Sequence, residues 1–217
     1  MQLTAIEVRI LGSLIEKEAT TPDTYPLSLN ALTAACNQTS NRDPVMAVAE
    51  DAVRWAINNL RQQSLVRAQQ GIGSRVMKYH HLLTERLDLD VPSLAVLCAL
   101  MLRGPQTTGE IKGRTHRLTE FANLSDVETT LNALITQGFV HELARQPGQK
   151  EVRYTHLLAG PPDVPNTAVA SVDVGHDRVA LLESTVAGLR QEVADLRARV
   201  EAFERQFGSS VGVDHQG

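Results

Sequence analysis

An internal repeat is the feature of this sequence that most constrains its fold. The stretch INNLRQQSLVR, which begins at Ile57, aligns with LNALITQGFVH, which begins at Leu131. Further along, MKYHHLL ends at Leu83 and matches VRYTHLL, which ends at Leu158. The register changes by one residue between the two matches, as one extra loop residue would produce. The chain therefore contains two copies of one structural unit.

The first copy carries the signals of three helices and a β-hairpin. Thr4 and Glu7 are spaced as a capping box ahead of apolar residues at helical intervals. Turn signals separate this helix from a second helix over Leu27 to about Asn37, and a third helix ends at about Gln63. Two strands joined by a glycine-containing tip follow. They are predicted over Leu65 to Ala68 and Val76 to His80.

The second copy repeats this order of signals. A helix runs from Pro92 to Arg103, since proline is favoured in a first turn. Thr107 with Glu110 predicts the start of a second helix, and Ser125 with Glu128 the start of a third. The strands of the second hairpin are predicted over Phe139 to Arg145 and Glu151 to His156. Three short helices closed by a hairpin are typical of a winged-helix domain.

We therefore predict a mainly α protein with small β-hairpin wings, built as two tandem winged-helix domains. Domain 1 covers residues 1–84 and domain 2 covers residues 91–158. Residues 159–175 contain three prolines and no apolar period, which is typical of an extended linker. Residues 176–207 are predicted as an amphipathic, coiled-coil-like helix, and residues 208–217 as a disordered tail.

Two long strings in the chain resemble the bacterial YceH family. They are EKEATTPDTYPLSLNALTAACNQTSNRDPVM and RQPGQKEVRYTHLL. The resemblance covers about residues 3 to 160, and strings of this length are highly specific. It implies paired winged-helix domains, and it supplies no catalytic residue, ligand or cofactor.

Cysteine usage and hydropathy narrow the class of protein. Cys36 and Cys98 lie far apart without a CxxC or His-rich companion, so we expect two reduced thiols rather than a disulfide framework or a zinc cluster. Glu7 and Arg9 interrupt the first apolar stretch, unlike a signal peptide. The longest uncharged apolar run is too short to span a bilayer. We expect a cytoplasmic protein with no membrane partner.

Catalytic motifs give no support for an enzyme. No HExxH, GxSxG, Walker or Rossmann string occurs, and the seven histidines are scattered. His80 and His81 are adjacent on a predicted strand, where alternation points them to opposite faces and disfavours a shared metal ion. We therefore predict a protein that is not an enzyme and has no metal or cofactor.

Two classes of function suit tandem winged-helix domains. A winged helix commonly places its third helix in the major groove, so binding of double-stranded DNA with a regulatory role is the leading hypothesis. The alternative is a non-enzymatic protein-interaction scaffold, similar to the tandem winged-helix subunits of chromosome-segregation complexes. The formal net charge of −4 argues against indiscriminate nucleic-acid binding driven by the charge of the whole protein.

The third helix of domain 1 carries the candidate DNA-binding side chains. Arg54, Asn58 and Arg61 are spaced i, i+4 and i+7 and share one stripe. Five basic residues and no acidic residue occur between Ala52 and Thr84. Two hairpin residues, Arg75 and Lys78, complete the set. The matching positions of the second copy are Glu128, Asn132 and Ile135. A basic face that only keeps the helix soluble is the competing interpretation.

Trp55 is predicted to lie on the exposed side of the same helix. The core stripe comprises Val53, Ala56, Ile57 and Leu60. A step of about 100° per residue puts the indole on nearly the opposite side of the helix. We expect Trp55 to pack against the second domain or another subunit, with stacking on nucleic acid as the alternative.

A polar loop precedes this helix, and it permits two interpretations. Its residues are Asn41, Arg42, Asp43 and Pro44. An arginine flanked by asparagine and aspartate suits a phosphate or an acidic partner. The same residue types also form turns and caps, and we favour this structural role.

The C-terminal segment predicts a parallel, two-stranded coiled coil and therefore a homodimer. Apolar residues alternate at spacings of three and four, with valine at a positions and leucine at most d positions. They are Val179, Leu182, Val186, Leu189, Val193, Leu196, Val200, Phe203 and Phe207. Parallel pairing sets Glu192 against Arg197, whereas antiparallel pairing sets Arg190 against Arg197. The alternative is that this helix folds back on its own domains.

Overall fold

The computed structural model describes residues 2–70, 76–145 and 151–161, together with residues 193, 196 and 200. Residues 1–163 form one compact unit and residues 164–217 form another. In its described residues, the first unit consists of helices and two small antiparallel sheets. The predicted class, mainly α with small β-hairpins, is confirmed. The predicted tail, and the predicted linker beyond residue 161, lie outside the described residues.

The first repeat contributes three helices and a three-stranded sheet. The helices are α1 (Ala5–Thr20), α2 (Leu29–Cys36) and α3 (Glu50–Gln62), with a 3-10 turn at Pro22–Thr24. The strands are β1 (Leu27–Ser28), β2 (Val66–Gln70) and β3 (Met77–His81). Strand β3 is central and pairs antiparallel with both neighbours. A helix predicted from Leu27 therefore begins two residues later, because Leu27 pairs with Tyr79 and Ser28 caps α2.

The second repeat follows a short connecting helix. This connector is α4 (Leu83–Leu87). The helices of the second repeat are α5 (Val91–Arg103), α6 (Thr108–Thr115) and α7 (Leu124–Thr136). Its strands are β4 (Val140–Leu143) and β5 (Arg153–His156), which pair antiparallel. Each repeat thus has three helices followed by a hairpin.

The backbone of the two repeats matches where the third helix meets the hairpin. In the first repeat, the Leu65 N–H donates to the Leu60 carbonyl at 2.9 Å and the Leu82 N–H donates to the Leu65 carbonyl at 2.8 Å. The second repeat has equivalent bonds at the same lengths. They run from Phe139 to Leu134 and from Leu157 to Phe139. The alignment of the two copies therefore holds at the level of single hydrogen bonds.

Capping boxes start three of the helices. Those at Thr4 with Glu7 and at Thr107 with Glu110 are confirmed. The predicted cap at Ser125 is wrong, because Asn123 accepts from the Asp126 N–H at 3.0 Å and α7 begins two residues earlier. Asparagine caps a helix as well as serine does, and Asp126 supplies the reciprocal acceptor.

Helix α1 is buried on nearly all sides because both repeats pack against it. Its residues from Glu7 to Ile15 are buried, and it contacts α2 and α3 of its own repeat as well as α5 of the other. The crossing with α5 is close at Gly12, where an added Cβ would lie 2.9 Å from Leu102 Cγ. The Cys98 thiol donates to the Gly12 carbonyl at 3.4 Å. Helix α1 therefore belongs to the core of both repeats.

Candidate nucleic-acid interface

Helix α3 separates its apolar and polar side chains onto two sides. The buried side comprises Val53, Ala56, Ile57 and Leu60. Arg54, Asn58 and Arg61 are exposed. Their spacing places them along one stripe of the helix. The structure thus brings three of the predicted DNA-contacting residues together on an accessible surface.

Arg54 is engaged by carboxylates of its own helix. Its Nη2 lies 2.9 Å from Glu50 Oε1, and its Nε lies 3.7 Å from Asp51 Oδ1. The Arg54 side chain is 57% exposed, so water screens both pairs and keeps them weak. Arg61 Nη1 lies 3.5 Å from Asn58 Oδ1, which is long for a hydrogen bond. A stronger anion can therefore displace these contacts, although Glu50 and Asp51 would repel it.

The hairpin after α3 adds a basic residue that the predicted site omitted. Lys78 is half-buried on β3, and Arg75 lies outside the described residues. Arg67 is exposed on β2, directly opposite His80. Burial and the charge of Arg67 lower the pKa of His80. Arg67 is one of the five basic residues between residues 52 and 84, so the cluster of positive charge in this stretch could have identified it.

Trp55 lies on the solvent side of α3. Its side chain is 64% exposed, so neither its own core nor the described part of the second repeat covers it. An indole left this open is a feature of surfaces that bind a partner or a ligand.

The equivalent face of the second repeat has a different charge. On α7, Glu128 and Asn132 are exposed and Ile135 is half-buried. Where α3 carries Arg54 and Arg61, α7 therefore offers one carboxylate and one apolar side chain.

The loop from Asn41 to Pro44 is held by a guanidinium that points into the protein. The Arg42 side chain is fully buried, and its two terminal nitrogens lie 3.1 Å and 2.6 Å from the Glu16 carboxylate oxygens. It also donates to the Ala35 carbonyl. Burial opposes ionisation of Glu16, but the hydrogen bonds and charge of Arg42 hold the Glu16 pKa below its usual value. Arg42 therefore has a structural role and does not present itself to a phosphate.

A second buried arginine fixes the same loop. Arg9 of α1 donates to the Cys36 carbonyl at 3.1 Å and to the Pro44 carbonyl at 2.6 Å. Both arginines satisfy backbone carbonyls that would otherwise be buried without a donor. The sequence analysis favoured a structural role for the loop that contains Arg42, but it did not predict that Arg42 and Arg9 are the buried donors that hold this loop.

The base of the first hairpin is tied to α1. His81 is buried, and its Nε2 lies 2.8 Å from Glu18 Oε2. Because His81 Nδ1 accepts from the Leu83 N–H, Nε2 carries the hydrogen and donates to Glu18. This hydrogen bond lowers the Glu18 pKa. The Tyr25 hydroxyl accepts from the His81 N–H at 3.0 Å. The hairpin strands thus have a fixed position beside α1.

Both cysteine thiols are buried and protonated in this fold. Burial raises the Cys36 pKa to about 11 and raises the Cys98 pKa further, so both thiols are protonated at neutral pH. Among the described residues, no group of three or more His, Cys, Asp or Glu side chains is placed to hold a metal ion. In the same residues, no helix has the length and apolar character needed to cross a membrane.

Three residues of the predicted coiled coil are described. Val193, Leu196 and Val200 are helical, and their side chains are between 48% and 55% exposed. Their spacings of three and four place them on one helix face. The other predicted dimer contacts lie outside the described residues. They are Val179, Leu182, Val186, Leu189 and Phe203, and Phe207 beyond them.

Sequence comparisons connect the chain to a family of bacterial proteins. A family model described as "Protein of unknown function, DUF480" matches residues 3–149. A UPF0502 protein of Pelobacter propionicus is 49% identical, with 95% of this chain and 99% of the relative covered. A UPF0502 protein of Solibacter usitatus is 47% identical over 95% of this chain and 98% of the relative. The UPF0502 protein VVA1225 of Vibrio vulnificus is 43% identical, with 93% of this chain and 98% of the relative covered.

Proposed function

We propose that this chain, which belongs to the DUF480 family of UPF0502 proteins, binds double-stranded DNA as a tandem winged-helix protein. Helix α3 would enter the major groove and the β2–β3 hairpin would lie along the backbone. The observation that carries the proposal is the exposed stripe of Arg54, Asn58 and Arg61. In this proposal the protein is cytoplasmic, regulatory and not an enzyme.

The side chains of α3 suit direct readout of bases. Arginine donates two hydrogen bonds to the O6 and N7 atoms of guanine, and asparagine pairs in the same way with adenine. Arg54 and Arg61 therefore favour guanine, and Asn58 favours adenine. Arg67, Arg75 and Lys78 supply sequence-independent contacts to phosphates.

The local charge favours binding although the protein is acidic overall. The net charge is −4, yet no acidic residue lies between Ala52 and Thr84. Glu50 and Asp51, just outside this stretch, pair with Arg54 in the free protein. Because these pairs are exposed and weak, a phosphate or a guanine edge replaces them at small cost. The acidic remainder of the protein keeps binding at unrelated sites low.

In this proposal the first repeat binds DNA and the second repeat does not. Helix α7 presents Glu128 and Asn132, and an exposed carboxylate at that position gives the DNA backbone no favourable contact, so α7 lies away from the DNA in this proposal. The second repeat then serves as a support for the first and as a surface for other contacts.

A DNA-binding titration at low salt tests the proposal. Wild-type protein is compared with Arg54→Ala/Arg61→Ala, and Glu128→Ala on α7 is the matched control. The double change is expected to weaken binding by at least about tenfold and to reduce its salt dependence, since each arginine contact is worth roughly 1–3 kcal/mol. Glu128→Ala should leave binding unchanged. Unaltered affinity in the double variant, or no binding at any salt concentration, would remove the DNA hypothesis.

The scaffold function is the second candidate, and Trp55 is the observation that favours it. An indole that is 64% exposed on α3 suits the centre of a protein interface. Under this alternative, a pull-down returns one stable protein partner, and Trp55→Ala abolishes that capture. Under the same alternative, the protein would not change the electrophoretic mobility of DNA at low salt.

We further propose that the C-terminal helix pairs two copies of the chain in parallel. Val193, Leu196 and Val200 form an exposed apolar face of the kind that a coiled coil buries. A dimer would present two copies of α3 to two DNA half-sites. Light scattering of the full chain and of a chain ending at residue 175 tests this. The full chain should be a dimer and the shortened chain a monomer. If the full chain and the shortened chain were both monomeric, pairing through this helix would be refuted.

A further inference from the structure

A pocket opens where α1, α5 and α6 meet, away from the α3 stripe. Its volume is about 330 Å³, which is within the range of small-ligand sites. Its walls come from the end of α1, from Asn41 in the loop before α3, from the end of α5 and from the end of α6. Residues of both repeats therefore line one cavity.

Three arginines line this pocket, and two of them have no carboxylate partner in the described chain. Arg103 donates to the side-chain oxygen of Asn41. Arg117 has neither a hydrogen bond nor an ion pair within the described residues, and it is exposed. Arg114 donates to Gln106 at 2.8 Å and lies 3.5 Å from Glu110.

The carboxylates near the pocket form their ion pairs with other basic residues or with Arg114, and none of them forms an ion pair with Arg103 or Arg117 in the described chain. Glu16 lines the pocket, but its oxygens lie 2.6 Å from Arg42 and 3.6 Å from Lys17. Glu110 is shared between Arg114 and Arg153. Burial, and then the charge of Arg114, lower the Arg103 pKa, while the charges of Glu16 and Asp43 act in the opposite direction. Two guanidinium groups on one partly buried wall repel each other, and an anion between them relieves this repulsion.

Apolar side chains form part of the wall beside these charges. They are Ala99, Leu102 and Leu118. The Cys98 thiol also lines the pocket, but it is protonated and donates to the Gly12 carbonyl, so it offers no nucleophile. The pocket thus combines a cationic side with an apolar side. This combination suits a small molecule with a charged head and a short carbon skeleton.

We propose that this pocket binds a small phosphomonoester, with Arg103 and Arg117 on the phosphate and the apolar wall against its carbon skeleton. A phosphate dianion matches in charge two guanidinium groups that have no carboxylate partner, and its oxygens accept the paired donors that arginine presents. A single carboxylate would leave one of the two charges without a partner. The pocket binds this ligand whether or not α3 binds DNA.

Isothermal titration calorimetry of the full chain tests the proposal. The probes are glycerol 3-phosphate, inorganic phosphate and succinate at equal ionic strength. Glycerol 3-phosphate is expected to bind at least about fivefold more tightly than inorganic phosphate, since the apolar wall contacts only the ester, and more tightly than succinate. Equal binding of all three, or no heat from glycerol 3-phosphate up to about 10 mM, would overturn the proposal.

Variants locate the binding site. Arg103→Gln/Arg117→Gln should weaken glycerol 3-phosphate binding by at least about tenfold. Arg117→Glu should do the same without affecting folding, because this side chain has no partner in the described chain. Arg86→Gln, an exposed arginine at the end of α4, is the matched control and should have no effect. Arg54→Ala/Arg61→Ala should also leave the affinity for glycerol 3-phosphate unchanged. This result would distinguish ligand binding in the pocket from DNA binding by α3. Unchanged affinity in Arg117→Glu would exclude the site.

Discussion

His81 and His156 occupy the same position in the two repeats, yet their surroundings differ. His81 bonds to the Glu18 carboxylate and to the Leu83 N–H. No described residue bonds to the buried Nδ1 of His156. Burial alone lowers the His156 pKa to about 4. The duplicated sequence has thus kept its backbone hydrogen bonds while the electrostatics of its side chains diverged.

The loops before the third helices diverge in the same way. In the first repeat, the loop between α2 and α3 is fixed from inside by Arg9 and Arg42. In the second repeat, the loop between α6 and α7 is fixed by the buried ring of Phe121 and by Lys112, which donates to the Ala122 carbonyl at 2.9 Å. One loop therefore depends on buried charge and the other on apolar packing. The free energy of unfolding should respond differently to changes in each.

Removing the buried charge of the first loop should have the largest effect. Arg42→Ala removes the closest cation of the half-buried Glu16 carboxylate and the donor to the Ala35 carbonyl, so we expect a loss of about 3–5 kcal/mol in the free energy of unfolding. Lys112→Ala in the other loop removes one exposed hydrogen bond and should cost at most about 1 kcal/mol. Urea denaturation followed by circular dichroism measures both. Similar losses for the two variants would contradict the contrast between the loops.

The two histidines give a pH-dependent test. His156 has a lowered pKa, so the unfolded state binds more protons than the folded state between pH 6.5 and about 4. The free energy of unfolding should therefore fall as the pH falls through this window, by about 3 kcal/mol from His156. Denaturation at pH 7 and pH 4 measures the loss. His156→Phe should reduce it, whereas His116→Gln at an exposed position should not. An unchanged loss in His156→Phe would show that other groups cause it.

The contact between the repeats can be tested at Gly12. Gly12→Val places methyl groups against Leu102, and we expect a loss of about 1–3 kcal/mol from overpacking. Gly109→Ala in α6 meets no atom within 4 Å and should be neutral or stabilise by up to about 1 kcal/mol. Thermal unfolding compares the two. A stable Gly12→Val variant would mean that α1 and α5 separate easily.

The smallest expected effect concerns the acidic start of α3. Glu50→Gln/Asp51→Asn frees Arg54 and removes repulsion of DNA, so affinity at low salt should rise about two- to fivefold. Glu128→Gln on α7 is the control and should have no effect. Fluorescence anisotropy with a labelled duplex measures the change. Weaker binding by the α3 variant would mean that its carboxylates take part in recognition.

Much of the fold follows from local sequence signals. The repeat, both threonine capping boxes and the strands of both hairpins were predicted, because each depends on residues close in sequence. Strand β1 was missed because two residues carry no periodicity. Helix α4 was missed because LTERL is too short to show an apolar stripe.

The buried arginines and the pocket show where sequence reasoning stops. Arg9 and Arg42 belong to a residue type that is almost always exposed, and only the three-dimensional path of the loop explains their burial. Arg103, Arg117 and Asn41 line one pocket although they belong to segments far apart in sequence, so their proximity depends on the tertiary fold. By contrast, the exposed stripe of α3 could be predicted, since helical spacing alone separates it from the core.

The position of α1 in both cores has a consequence for synthesis of the chain. Helix α1 leaves the ribosome first, but α5, which covers one of its sides, follows about 80 residues later, or after roughly 4–16 seconds at about 5–20 residues per second. During that interval the surface around Gly12 is apolar and uncovered. We expect the nascent first repeat to be sensitive to protease and to bind chaperones until residue 103 emerges. Synthesis of α5 in the second repeat thus covers the last exposed side of α1 in the first repeat.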